Sequence, residues 1–169
     1  MLEVFVATSG QLARVEGLPT EARVVDLGTG FSLIPITARL RAALGSDGQP
    51  QMGFLELTAQ LVAMGEALSA TGPVAYCHSE FHGGTGLQAA VVWDRGEISF
   101  GPLFTANHRA YCESEEYVLI EGRGRIRQMA VNSALRHLGA RVGEYGDEFE
   151  AVGLTRHRWT EDWFGERNA

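Results

Sequence analysis

Lysine is absent from the 169-residue chain, and all 14 basic residues are arginine. A Schiff-base or pyridoxal-phosphate enzyme needs a lysine amine, and the GxxxxGK[ST] phosphate loop needs one as well, so both are excluded. Cysteine is nearly absent too: Cys77 and Cys112 do not make a disulfide framework. No apolar run approaches the roughly 18 uncharged residues of a membrane-crossing helix. Glu3 interrupts the first apolar run and no basic segment precedes it, so no signal peptide is expected and the cytoplasm is the expected compartment. Basic charge is scarce overall, with 21 acidic residues giving a net charge of -7. A nucleic-acid binder normally carries a basic stripe for phosphates, which this balance disfavours. The length suits one hydrophobic core, so a single domain over residues 1–169 is expected.

What is present alternates between β-like and helical patterning. Leu2 to Ala7 reads as a strand, and Thr8 or Ser9 would cap a short helix through Val15. Residues 23–27 and 31–36 flank a Gly28-Thr29-Gly30 turn, which suits a hairpin or a strand-to-helix passage. Thr37 is placed to cap a helix reaching Leu44, and a Gly/Pro linker follows. Phe54 to Ala70 carries Leu57, Leu61, Met64 and Leu68 at helical spacing. Val74–Phe81, Leu87–Trp93 and Ile98–Phe100 read as three consecutive antiparallel strands, the first two joined by His82-Gly83-Gly84-Thr85-Gly86. Leu103 to Gly124 reads as an excursion from the sheet. Arg125 to Leu138 reads as one helix that Gly139 terminates. The expected fold is α+β: a central, mainly antiparallel sheet with two principal helices packed on it.

Several constellations invite a chemical reading. Val24-Val25-Asp26-Leu27-Gly28-Thr29-Gly30 resembles the first motif of class I methyltransferases, where glycines let the backbone approach S-adenosylmethionine. Against it, Pro35 falls where the first helical turn should run, and no second strand ending in an acid follows. A tight turn explains the glycines more simply. On a strand, His78, Glu80 and His82 project from one face, a two-histidine, one-carboxylate set adequate for zinc or iron. Their outer members stand about 13 Å apart on a straight strand, so one ion cannot bind both unless the strand bends. The pair His108 and Cys112 would suit a metal only on a helix. Gly83 to Gly86 could cradle a phosphate, yet a strand rather than a helix follows it, and a hairpin turn is the simpler reading. No Gly-x-Ser-x-Gly elbow nominates a nucleophile. No catalytic residue and no cofactor are therefore assigned.

The acid excess is local. Glu113, Glu115, Glu116 and Glu121 form one segment with Tyr117; Glu144, Asp147, Glu148 and Glu150 form another with Tyr145 and Phe149. Such segments are solvated faces or docking surfaces, carboxylates steering a basic partner while aromatics anchor it.

From Ala75 onward the order of segments resembles a group of small bacterial proteins from high-GC genomes. The residues carrying it run from Phe81 to Trp93, then Gly101-Pro102-Leu103, Asn132 to Gly139, and Asp147 to Leu154 with Arg156-His157-Arg158. In that group the segment from Leu103 to Gly124 looks like an insertion. In size and charge such proteins are similar to toxin-immunity proteins, and the resemblance supplies a scaffold rather than catalytic residues. The expected function is thus a non-catalytic protein-binding domain, an immunity-type protein neutralising a basic toxin. The alternative is a small enzyme, methyltransferase-like or a metal-dependent hydrolase. A homodimer through the sheet edge or through Trp159, Trp163 and Phe164 is a further expectation.

Overall fold

A computed structural model of the chain describes all residues except 47, 110–116, 122–124 and 165–169. Seven strands form one sheet in the order β2-β3-β1-β4-β5-β6-β7. They are β1 (Leu2–Thr8), β2 (Val25–Asp26), β3 (Phe31–Pro35), β4 (Val74–His82), β5 (Thr85–Asp94), β6 (Glu97–Ala106) and β7 (Val118–Leu119). All pairings are antiparallel except β6 with β7. The helices are α1 (Ala38–Leu44), α2 (Ala59–Leu68), α3 (Arg125–Gln128), α4 (Ala130–His137), α5 (Glu148–Ala151) and α6 (Thr160–Phe164). The expected α+β class is what forms. No helix among the described residues is long and apolar enough to cross a membrane.

Both faces of the sheet are covered, so the central strands are apolar on both sides. Leu2, Val4, Val6, Cys77, Ala90 and Val92 pack with Ala134, Leu135, Leu154 and Trp163 on one face. Phe5, Ile34, Tyr76, Val91 and Trp93 pack with Leu40, Leu57, Leu61 and Leu68 on the other. The first can be called the α4 face and the second the α2 face. Each removes a large apolar area from water, the main driving force for folding.

Local signals acted much as their chemistry requires. Thr37 caps α1, its hydroxyl accepting the Leu40 amide hydrogen, and Gly45 closes the helix in the left-handed region at φ 63°. Gly83 and Gly84 both have positive φ (58° and 83°) between paired His82 and Thr85. That is the two-residue turn whose twist matches a hairpin. The Gly28-Thr29-Gly30 loop likewise joins the antiparallel pair β2 and β3.

Four expectations are corrected. The predicted helix from Thr8 to Val15 is one 3-10 turn, Leu12–Arg14. The helix predicted from Phe54 starts only at Ala59. The third central strand does not stop at Phe100 but continues to Ala106, so the excursion begins later than predicted. Gly101-Pro102 is accommodated because the register shifts between Ala90 and Val92, and a proline can sit where no ladder hydrogen bond is needed.

The fourth correction concerns residues 125–138, where Met129 is extended (ψ 150°) and separates α3 from α4. A helix start leaves backbone amides without internal partners. Here the sheet supplies them: Thr105 Oγ1 accepts from Ala130 N at 2.8 Å and Gln88 Oε1 from Val131 N at 3.0 Å. Thr105→Val should therefore lower stability by about 1 kcal/mol, read as a lower midpoint in urea with unchanged m-value.

Candidate functional site

Glu3 is a carboxylate in a strand buried on both faces, where an unpaired charge would be costly. Its position in β1 places it opposite His78 of β4, and Phe5 next along faces Tyr76. Glu3 is only 1% exposed. Its Oε1 accepts from Arg41 Nη2 at 2.5 Å and from the Tyr76 hydroxyl at 2.6 Å. Arg41, on α1, also donates to the Glu56 carbonyl at 3.0 Å and lies 3.7 Å from the Glu56 carboxylate. One buried network thus ties β1, β4, α1 and the segment before α2.

Burial dominates the electrostatics here. It raises the Glu3 carboxyl above its ordinary range, more than the charge and hydrogen bonds of Arg41 and Tyr76 lower it. It also lifts the Tyr76 hydroxyl well above its usual value, with the Glu3 charge adding to the rise. His78 is pushed down to about 4, chiefly by burial, so the ring is neutral. Its Nε2 is buried and finds no hydrogen-bond partner among the described residues. A cavity of about 320 Å³ opens over Glu3 and Arg41, walled by Ile36, Ala38, Trp159 and Glu161.

Across the sheet, on the α4 face at the same end, lies a second opening. This cleft of about 230 Å³ is lined by Leu2, Phe81, Phe149 and Leu154, with Ser79, Thr155, His157 and Arg158 as polar members. Arg158 donates to the Phe81 carbonyl. Buried Trp163 sits beneath, with His157 against its ring at a centroid separation of 4.7 Å. The Gly28–Gly30 turn lies at the other end of β1, where the Gly30 carbonyl accepts from Ser9 N, and is braced there by Thr29 Oγ1 donating to the Val152 carbonyl at 2.9 Å. The strand–loop–helix geometry of a methyltransferase cofactor loop is therefore not formed there.

The residues singled out by sequence separate into several groups. His78 is buried, while His82 Nε2 pairs with Glu80 Oε1 at 3.2 Å in the exposed end of β4. The three do not converge, since β4 stays extended, and no group of three metal-ligating side chains forms among the described residues. Glu113, Glu115 and Glu116, together with Cys112, lie outside the described residues. Tyr117 is buried with its ring 5.5 Å from Phe104, and Glu121 is exposed.

In the second acidic segment, Glu148 is 1% exposed and held by Arg136 Nε at 2.8 Å and Arg127 Nη2 at 3.4 Å. Burial raises its carboxyl, but the bonds and charge of these arginines outweigh that and hold it below the usual range. It is a structural anchor and cannot meet a partner. Asp147 caps α5 by accepting from Glu150 N, and Glu150 accepts from Gly146 N, both at 2.8 Å. Phe149 lines the cleft, and Glu144, Tyr145 and Glu150 face solvent. Of the aromatic tail, Trp163 is fully buried and Trp159 is 45% exposed.

Sequence reasoning treated Glu3 only as an interruption of an apolar run and did not reach Arg41 or Tyr76. The available signal was that interruption itself: a carboxylate flanked by Leu2, Val4, Phe5 and Val6 needs a buried cation. Which arginine supplies it is a matter of tertiary contact. Comparisons with known protein families, curated proteins and solved structures find no match for this chain.

Proposed function

We propose that the protein is a binding domain for a basic protein, which docks on the end of the sheet where β1 begins and β4 ends. The observation that carries this reading is the cleft on the α4 face. Apolar side chains from three separate regions, Leu2, Phe81, and Phe149 with Leu154, leave an open floor there. Phe149 joins that floor to the exposed Glu144, Tyr145 and Glu150. An apolar centre edged by polar groups is the usual anatomy of an interface, and carboxylates accelerate encounter with a basic surface. In its most concrete form the protein is immunity-type, acting in the cytoplasm to occlude the active site of a basic toxin. Its size, its net charge of -7 and the resemblance of its segments to small bacterial proteins support that form.

The test is co-expression with the product of an adjacent gene. A stable complex and relief of that product's toxicity are expected; neither complex nor relief overturns the reading. Within such a complex, Glu144→Arg should slow association about three- to tenfold at low salt, the difference closing as salt is raised. Phe149→Ala should act on dissociation instead.

A further inference from the structure

The cleft on the α4 face is opposite in charge to the chain as a whole. Its charged lining groups are the Arg158 guanidinium and the Met1 ammonium, and no carboxylate lines it among the described residues. Glu80, whose charge reaches that ammonium, stands between Ser79 and Phe81 on β4 and so points to the other face, where it pairs with His82. Counting it still leaves the sum positive. Arg158 has no ion-pair partner among the described residues. Its Nη2 donates to the Phe81 carbonyl, and its guanidinium lies 5.2 Å from the centroid of the Trp159 ring. Those contacts hold the fork in place, use one N–H donor, and give the charge no anion. Ser79 and Thr155 add hydroxyls that make no side-chain hydrogen bond among the described residues. The cleft therefore offers hydrogen-bond donors and positive charge beside the apolar floor of Leu2, Phe81, Phe149 and Leu154. At about 230 Å³ it is smaller than the roughly 300–1,000 Å³ of drug-sized sites, and holds about eight water-sized groups of ~30 Å³.

We propose that this cleft binds a small apolar carboxylic acid as its anion, an alkyl chain of about six carbons with its carboxylate on Arg158. The guanidinium fork matches two carboxylate oxygens, and the Ser79 and Thr155 hydroxyls supply further donors. The tail lies on Phe81, Phe149 and Leu154. One negative charge suits the site better than the two of a phosphate, since burial lowers the pKa of the Met1 ammonium and Arg158 remains the permanent cation. The inference goes beyond the protein-binding reading: an apolar anchor of a protein needs only the floor, whereas the acid needs Arg158 as well.

The test is a titration of the ¹⁵N-labelled full chain with hexanoate, butanoate, hexanamide and hexylammonium, following the amides of Leu2, Ser79 and Thr155. Hexanoate should give saturable shifts with a Kd of about 1 mM. Butanoate, two methylenes shorter, should bind roughly tenfold more weakly. Hexanamide has the same shape without the charge and should bind at least about fivefold more weakly. Hexylammonium should give no saturable shift.

Arg158 is exposed, so Arg158→Gln removes the charge without opening the core. This variant should bring hexanoate to the affinity of hexanamide while leaving hexanamide itself unchanged, which also reports an intact cleft. Arg158→Lys should restore part of the difference. Absence of saturable shifts with hexanoate, equal affinity for hexanamide, or an unaltered hexanoate Kd in Arg158→Gln overturns the proposal. Binding of a leucine-terminated peptide with a free carboxylate, where hexanoate does not bind, would also overturn it and assign the anion to a chain end.

Discussion

Trp93→Ala is expected to lower stability by about 3–5 kcal/mol, the range for a large aromatic removed from a packed core, measured by urea or thermal denaturation. Trp93 is 1% exposed and closes the α2 face. Its ring lies against Gly65 of α2, where an added Cβ would stand 2.8 Å from two ring carbons. This makes the sign of Gly65→Ala a sharp test. In a helix interior, glycine to alanine normally gains about 1 kcal/mol. Here the clash should reverse that gain and cost about 1–3 kcal/mol. Placed in a Trp93→Leu background, the same change should become neutral or favourable, because the ring that it meets is gone. Additivity of the two substitutions within about 0.5 kcal/mol would show that the residues do not interact.

The second large effect is acid sensitivity through His78. The ring faces the side of the sheet that also carries Glu3 opposite it on β1, Tyr76 and Glu80 on its own strand, and Arg41 from α1. Burial holds its pKa at about 4, with Glu80 opposing and the Met1 ammonium and Arg41 lowering it further. An unfolded histidine titrates near 6.5 and so binds a proton that the folded state refuses. The neutral ring's contribution is fully present above about pH 6.5 and is lost as pH falls toward 4. Between pH 7 and 5 the loss should be about 2 kcal/mol, and His78→Leu should flatten that part of the profile.

Glu3 acts with the opposite sign. Its folded-state pKa is raised, so protonation on acidification favours the folded state and offsets part of the histidine effect. Glu3→Gln should consequently steepen the fall. Glu148 loses its contribution only at lower pH, because its carboxyl is held below the usual range. An unaltered pH profile in His78→Leu would show that the ring takes up its proton in the folded state at an ordinary pKa.

Much of the fold was legible because its signals are local. The cap at Thr37, the stop at Gly45 and the Gly83-Gly84 turn each act through neighbouring backbone, and each formed where the sequence indicates. The errors have a common origin in distant partners. Met129 breaks a helix because Thr105 and Gln88 reach its following amides from the sheet. The 144–150 segment shows the same division at the candidate site: its carboxylates look alike in sequence, yet Glu148 is clamped by Arg127 and Arg136 while Glu144 faces water.

The missing lysines removed whole chemistries, and the alternating apolar pattern determined an α+β chain with an antiparallel centre. Both follow from composition and short-range spacing, which need no knowledge of what lies across the core. Tertiary structure alone decided which charges are buried and what opens beside them. Glu3 meets Arg41 and Tyr76 across 38 and 73 residues of chain, and burial among those partners, rather than residue type, makes that end of the sheet chemically distinct.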